Sequence, residues 1–195
     1  MDTGILLREI QRKSDFKKED FPALLDLFEQ HTFRKDDMLT EKGKVVYRVY
    51  FIIRGCIRQF YINDQGKERN VHFITEGKWA GDTMSLMNQT PTNISNQALE
   101  DFEAISLNRH NTERAIKEFP GFAWYEYLNR IITIAYFREN VGRETIETPE
   151  AKYQRLEREQ PHLLQRLPLY HIASYLGVTP ETLSRIRKKM SGTIS

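Results

Sequence analysis

Apolar residues recur along this chain with two different periods, and the switches between them outline its organisation. Residues 4–13 and 20–30 carry helical spacing; in the second, Phe21, Leu24, Leu25 and Phe28 form one stripe, and Asp20 with Pro22 suits a helix start. From about His31 to Leu107 the pattern shortens to strands separated by polar turns, as in an antiparallel sandwich or roll. Val45 to Ile53 is β-branched and aromatic, and Phe102 to Leu107 reads as another strand. Ile57 to Ile62 and Asn70 to Thr75 flank Asn63-Asp64-Gln65-Gly66-Lys67, a hairpin loop with Gly66 in a left-handed position. Gly43, Gly55, Gly77 and Gly81 punctuate the rest, so the region predicts an antiparallel sandwich or roll.

Helical spacing returns from Asn111 to about Glu147, interrupted at Pro120-Gly121. Twelve of the seventeen residues from Gly121 to Phe137 are apolar or aromatic. A helix apolar on most sides must be covered on most sides. One face can pack on the β-roll, and the other calls for a second chain, which predicts a parallel homodimer through the helix at about 121–147. Burial of that helix within one chain is the alternative. Thr148-Pro149-Glu150 starts another helix that runs to about Gln160 before Pro161, and a helical turn at His162–Leu167 follows. The predicted boundary therefore separates residues 1–147 from residues 148–195.

The stretch Leu169–Lys188 has the pattern of a helix-turn-helix. Ile172 and Leu176 lie four apart on one face, Ala173 sits where two helices must cross closely, and Val178 plugs the turn. Gly177 falls where the chain reverses, Thr179 is a natural N-cap, and Pro180 a natural first helical residue. Leu183 and Ile186 point inward, which leaves Glu181, Thr182, Ser184, Arg185, Arg187, Lys188 and Lys189 outward. A short basic helix of this kind fits the DNA major groove.

Charge sharpens this picture. Residues 150–195 hold eight Lys or Arg against four acids, in a chain whose net charge is only +2. A basic module on a weakly acidic partner suits polyanion binding. The single cysteine, Cys56, excludes an intramolecular disulfide and any multi-cysteine zinc or iron–sulfur site, and fits a cytoplasmic protein. No stretch is apolar enough for a membrane span. The five histidines are scattered with no His-x-His pair, so a cupin-type metalloenzyme is not expected, and no Ser-His-Asp or Cys-His set stands out; the chain reads as a non-enzyme.

A β-roll, a long helix and a C-terminal helix-turn-helix, in that order, resemble the CRP/FNR family of bacterial transcription regulators over nearly the whole chain. The wording Tyr170-His171-Ile172-Ala173-Ser174-Tyr175-Leu176-Gly177-Val178-Thr179-Pro180 is similar to the branch common in Bacteroidetes. The resemblance implies an α+β fold: an N-terminal cyclic-nucleotide-binding-like jelly roll with flanking helices, a dimerisation helix, and a DNA-binding domain. It implies a two-fold symmetric double-stranded operator, with half-sites about one helical turn (~34 Å) apart, and RNA polymerase as a partner. Glu181 and Arg185 match the family's base-reading positions, with Ser184 between them; Arg can pair bidentately with guanine. Pro180 stands where many relatives carry an arginine. Thr179, Thr182, Arg187, Lys188 and Lys189 match phosphate contacts. Their alternative roles are helix-dipole balance for Glu181 and a solvated helix end for Arg187-Lys188-Lys189. Only five residues follow Met190, too few for the family's β-wing.

Gly77-Lys78-Trp79-Ala80-Gly81-Asp82 stands where the family enters its cyclic-nucleotide cassette. There the family's Gly-Glu step becomes Gly81-Asp82, and its Arg-Ser step falls at Thr92-Asn93, which carries no charge. Positions that meet the purine fall at Tyr136, Phe137 and Arg138, where two bulky rings fill space. A buried cyclic phosphate needs a permanently charged bidentate partner, so cyclic AMP is not expected, and another effector or none is. A cyclic AMP or cyclic GMP receptor acting through the same helix-turn-helix is the alternative, with Arg138, Arg109 or Arg58 as replacement charges. His72 and Cys56 could be haem ligands by type; both read as structural.

Overall fold

Strand-forming segments between residues 29 and 108 pair into two four-stranded antiparallel sheets. The computed structural model describes residues 1–191, with backbone alone for residues 140, 141, 144, 145 and 191. One sheet contains β1 (Glu29–Phe33), β3 (Arg48–Arg54), β6 (Trp79–Ala80) and β8 (Phe102–Asn108) in the order β1-β8-β3-β6. The other contains β2 (Met38–Thr40), β4 (Ile57–Ile62), β5 (Glu68–Ile74) and β7 (Ser95–Ala98) in the order β2-β7-β4-β5. Ile52, Ile57, Ile74, Ala98, Phe102 and Ala104 close the space between them. The β4–β5 hairpin forms as its sequence predicts: Gly66 has φ 76°, and the Asn63 side chain accepts from the amides of Gln65 and Lys67.

Because side chains alternate along a strand, each sheet offers a second apolar face, and helices cover both. On the first sheet, Phe51 and Ile105 meet Leu6 and Ile10 of α1 (Gly4–Gln11), Leu24 of α2 (Phe21–Leu25), and Phe122 and Tyr125 of a long helix. A short helix, α3 (Thr83–Asn88), interrupts the strands, and α4 (Arg109–Glu118) leads into that long helix, α5 (Pro120–Ile146), 27 residues in length. Gly121 makes the contact possible: a Cβ there would stand 2.7 Å from the Phe16 Cα, closer than any side chain tolerates.

Four further helices follow: α6 (Pro149–Glu159), α7 (Pro161–Arg166), α8 (Leu169–Leu176) and α9 (Pro180–Ser191). Their apolar faces share one cluster, Leu156, Leu163, Ile172, Leu176, Leu183 and Ile186, with Cys56, Phe73 and Leu99 from the second sheet. Thr148 separates α5 from α6, and this cluster joins residues from both sides of it.

One element departs from its sequence pattern. Residues 20–30 predict a single helix, yet α2 ends at Leu25 and Glu29 already pairs with Ser106 on β8. Ladder hydrogen bonds along β8 take residues 29–33 away from the helix, while Phe28 still packs edge-on to Phe122 at 6.4 Å. The stripe is core, as its spacing predicts, but it is split between two elements.

Candidate nucleic-acid interface and sensor site

The C-terminal helix pair is built from the inside outward. Ile172, Ala173, Leu176, Leu183 and Ile186 are all buried between α8, α9 and their neighbours. Gly177 ends α8 with φ 74°, a left-handed conformation that glycine adopts without strain. The Thr179 hydroxyl accepts from the Thr182 amide at 3.3 Å, and the Thr179 carbonyl accepts from the Leu183 amide at 3.0 Å, so α9 is capped as its sequence predicts.

Outside that seam, Thr179, Pro180, Glu181, Ser184, Arg185, Arg187, Lys188 and Lys189 are exposed, and Thr182 is half-buried beside the cap. Glu181 is held below the usual carboxylate range by the Thr179 hydroxyl and by Arg185 one turn on, so it stays ionised at neutral pH. Ser184 donates to the Pro180 carbonyl at 3.0 Å. The face therefore offers an ionised acceptor and a guanidinium one turn apart, with cations clustered at its far end.

The basic balance of residues 150–195 is only partly surface charge. Lys152 and Arg155 are buried, and Arg155 donates to Glu147 at 3.0 and 3.2 Å. Arg166 donates to Glu76 at 3.0 and 3.2 Å and also pairs with Glu100, tying α7 to the roll. Arg166 thereby holds α7 against the roll, while Arg155 joins α6 to the end of α5. A bare count of basic residues cannot separate them from the four on α9.

The same sheet grips α8 directly. Asn70 on β5, 1% exposed, donates from its amide to the Ser174 hydroxyl at 3.1 Å and from its side chain to the His171 carbonyl at 3.0 Å. Arg58 donates to the Asn70 side-chain oxygen at 3.2 Å, to Glu68 at 2.6 Å and to Gln97 at 2.8 Å. Sequence reasoning missed Asn70. Its signal was a polar residue at the start of an otherwise apolar strand.

At the cassette, Gly81 leads into Asp82, whose carboxylate caps α3 by accepting from the amides of Met84 and Ser85 at 2.9 and 3.1 Å. The other Asp82 oxygen accepts from the Thr92 hydroxyl at 2.7 Å, and Thr92 is 1% exposed. Asp82 and Thr92, predicted as pocket neighbours, thus meet each other. Asn93 is exposed beside them. On α5, Tyr136 meets His72 of β5 edge-on and Phe137 meets it at a tilt, with ring centroids 5.4 and 6.1 Å away, and Arg138 is exposed. Burial pushes the His72 imidazole down to about 4, with Lys78 adding to the shift.

The possible replacement charges are placed elsewhere. Arg58 is committed to Glu68, Gln97 and Asn70, and Arg109 pairs with Glu113 on α4. Cys56 is fully buried, and desolvation raises its thiol to about 12. A row of buried polar groups that sequence reasoning did not single out crosses the inside of the second sheet. Gln59 donates to Asn96 at 3.3 Å, Asn96 donates to Thr40 at 2.5 Å, and His72 is the partner of Gln59 on β5. The row is polar and uncharged.

Residues 30–119 match the cyclic nucleotide-binding domain family. Comparison with curated protein sequences gives no match. Among solved structures, a CooA mutant from Carboxydothermus hydrogenoformans is similar over 99% of this chain and 86% of its own, with TM-score 0.71 and 16% identity. The c-di-GMP responsive global regulator CLP of Xanthomonas campestris is similar over 91% and 93%, with TM-score 0.69 and 12% identity. The Thermus thermophilus catabolite activator protein is similar over 92% and 85%, with TM-score 0.57 and 19% identity. Among the described residues no helix is long and apolar enough to cross a membrane. Residues 30–119 thus resemble a cyclic nucleotide-binding domain, and the chain as a whole shares the fold of these solved structures.

Proposed function

We propose that this protein is a sequence-specific DNA-binding transcription regulator, acting as a homodimer, with no enzymatic activity. The observation that carries the reading is the division of α9 into a buried apolar seam and an exposed face bearing Glu181, Arg185, Arg187, Lys188 and Lys189. Glu181 and Arg185 read base edges, and the terminal cations together with Thr179 and Thr182 hold phosphates. Fold neighbours described as an activator protein and as a global regulator of gene expression support the assignment, with RNA polymerase as the downstream partner.

Dimerisation rests on α5. Trp124, Tyr127, Ile131 and Ile134 follow one another at spacings of three, four and three, and are 52%, 53%, 49% and 64% exposed. That is the seam of a parallel helix pair, and large apolar side chains left in water make it costly to leave open. Two copies then present two α9 helices to two half-sites.

The sensor roll does not take a cyclic phosphate in this reading. Asp82 and Thr92 satisfy each other, Arg58 is committed to three polar partners, and the inner row at Thr40, Asn96 and Gln59 carries no cation. Selection of bound duplexes from a random library with the purified protein tests the whole proposal. A two-fold symmetric motif is the expected result, whereas recovery without sequence enrichment overturns the assignment. Calorimetry with cyclic AMP and cyclic GMP should show no binding heat.

A further inference from the structure

Helix α8 is not merely near the roll; Asn70 fastens it to β5 through Ser174 and His171. This attachment carries the neighbouring residue of β5 to the helix-turn-helix itself. A Cβ placed on Gly177 would stand 3.8 Å from the Arg69 guanidinium. Arg69 therefore lies beside the turn, three residues before Pro180 opens α9. Lys67, two residues back in the β4–β5 hairpin, is exposed like Arg69. Glu68, between them, is paired with Arg58 at 2.6 Å, so its charge is compensated from inside the sheet. Lys42 adds a third cation beside the hairpin loop, where its ammonium donates to the Ile62 carbonyl at 2.8 Å.

The position of these charges relative to α9 matters. Twelve helical residues span about 18 Å at 1.5 Å per residue. That exceeds the ~12 Å width of the major groove, so the two ends of such a helix approach opposite phosphate backbones. Arg187, Lys188 and Lys189 occupy the C-terminal end of α9, while Arg69 stands beside the turn that leads into its N-terminal end, with Lys67 two residues away along the hairpin.

We propose that the β4–β5 hairpin of the sensor roll is a second DNA-contacting element, in which Lys67 and Arg69 bind duplex phosphates flanking the groove entered by α9. The inference rests on the DNA-binding reading and extends it: the nucleic-acid surface is shared between the two parts of the chain. Phosphate contacts carry no sequence information, so the hairpin adds affinity and orientation but not base preference. Its contribution also depends on α8 staying seated on β5, which makes the sensor sheet part of the DNA grip.

The test is equilibrium binding of the full chain to its selected duplex across a salt series, for wild type, the double variant Lys67→Gln/Arg69→Gln, and Lys188→Ala. Each phosphate contact contributes about 0.9 to the slope of log affinity against log salt. The double variant should flatten that slope by about 1.8 and weaken selected and scrambled duplexes by the same factor. A wild-type slope in the double variant, while Lys188→Ala flattens it, overturns the hairpin inference and leaves the DNA-binding reading standing. A loss confined to the selected duplex also overturns it, because phosphate contacts cannot discriminate sequence. Absence of any selective binding by wild type overturns the parent reading, and this one with it.

Discussion

Two short helices in this molecule begin in nearly the same way and end up with opposite roles. Both α3 and α9 follow a glycine of positive φ, Gly81 at 120° and Gly177 at 74°, and both start from a polar cap, Asp82 and Thr179. At α3 the cap faces inward: one Asp82 oxygen serves two helix amides and the other takes the Thr92 hydroxyl. At α9 the Thr179 hydroxyl accepts from the Thr182 amide at the surface, and Glu181 and Arg185 remain exposed on the outward side. The same local chemistry closes one region on itself and leaves the other at the surface. What differs is where the polar groups meet their partners: Asp82 reaches the buried Thr92, whereas Glu181 meets Thr179 and Arg185 on the exposed face of its own helix.

Acid should produce the broadest effect, because it acts on both regions together. His72 lies in the sensor against Tyr136 and Phe137, and His171 lies on α8 against Asn70. Burial pushes each imidazole down to about 4, from an ordinary 6.5. For His171, Arg58 lowers it further, while Glu68 and Asp36 oppose the shift. The unfolded chain takes up these protons near 6.5, and the folded chain resists them until about 4. Stability is therefore complete above pH 6.5 and is lost as pH falls from 6.5 toward 4. Thermal midpoints across that window should decline in wild type and decline less steeply in His171→Gln. Equal slopes would remove His171 from the titration.

Next in size is the loss expected on the open side. Arg185→Ala should cost about 1–3 kcal/mol at the selected duplex and relax preference at one base pair, while leaving the thermal midpoint unchanged. An unaltered preference profile would return Arg185 to a general electrostatic role. The exposed position of Arg185 is what separates its binding cost from any folding cost.

The helix-turn-helix was almost fully legible because every level of its sequence agrees. Apolar spacing, the turn glycine, the cap and Pro180 all require the same structure, and α8 spans Leu169–Leu176 as predicted. The strands around Gly66 were legible for the same reason. Residues 26–33 were not, since helical spacing at Phe21, Leu24, Leu25 and Phe28 competes with a ladder on β8 that no local signal announces. The cassette was half legible. Its residue types identify the place, but whether Asp82 reaches a ligand or a helix amide depends on α3, which no periodicity announced. The basic tail misled in a similar way: Lys152, Arg155 and Arg166 count toward charge yet serve the docking of α6 and α7.

The smallest effect probes the closed region. Asp82→Ala removes the acceptor for the Met84 and Ser85 amides and leaves the buried Thr92 hydroxyl without its carboxylate. Loss of an N-cap costs about 0.5–2 kcal/mol, and in a chain of this size each kcal/mol lowers the midpoint by roughly 2–4 °C. A fall of a few degrees in the ligand-free protein is therefore expected. Asp82→Asn should recover most of it, because an amide oxygen can still cap α3 while the amide nitrogen donates to Thr92. The direction is informative in itself. A carboxylate held in reserve for a ligand is poorly satisfied when the site is empty, so replacing it would leave the empty protein's midpoint unchanged or raise it. A midpoint that falls in Asp82→Ala and returns in Asp82→Asn places the residue in the architecture of the roll.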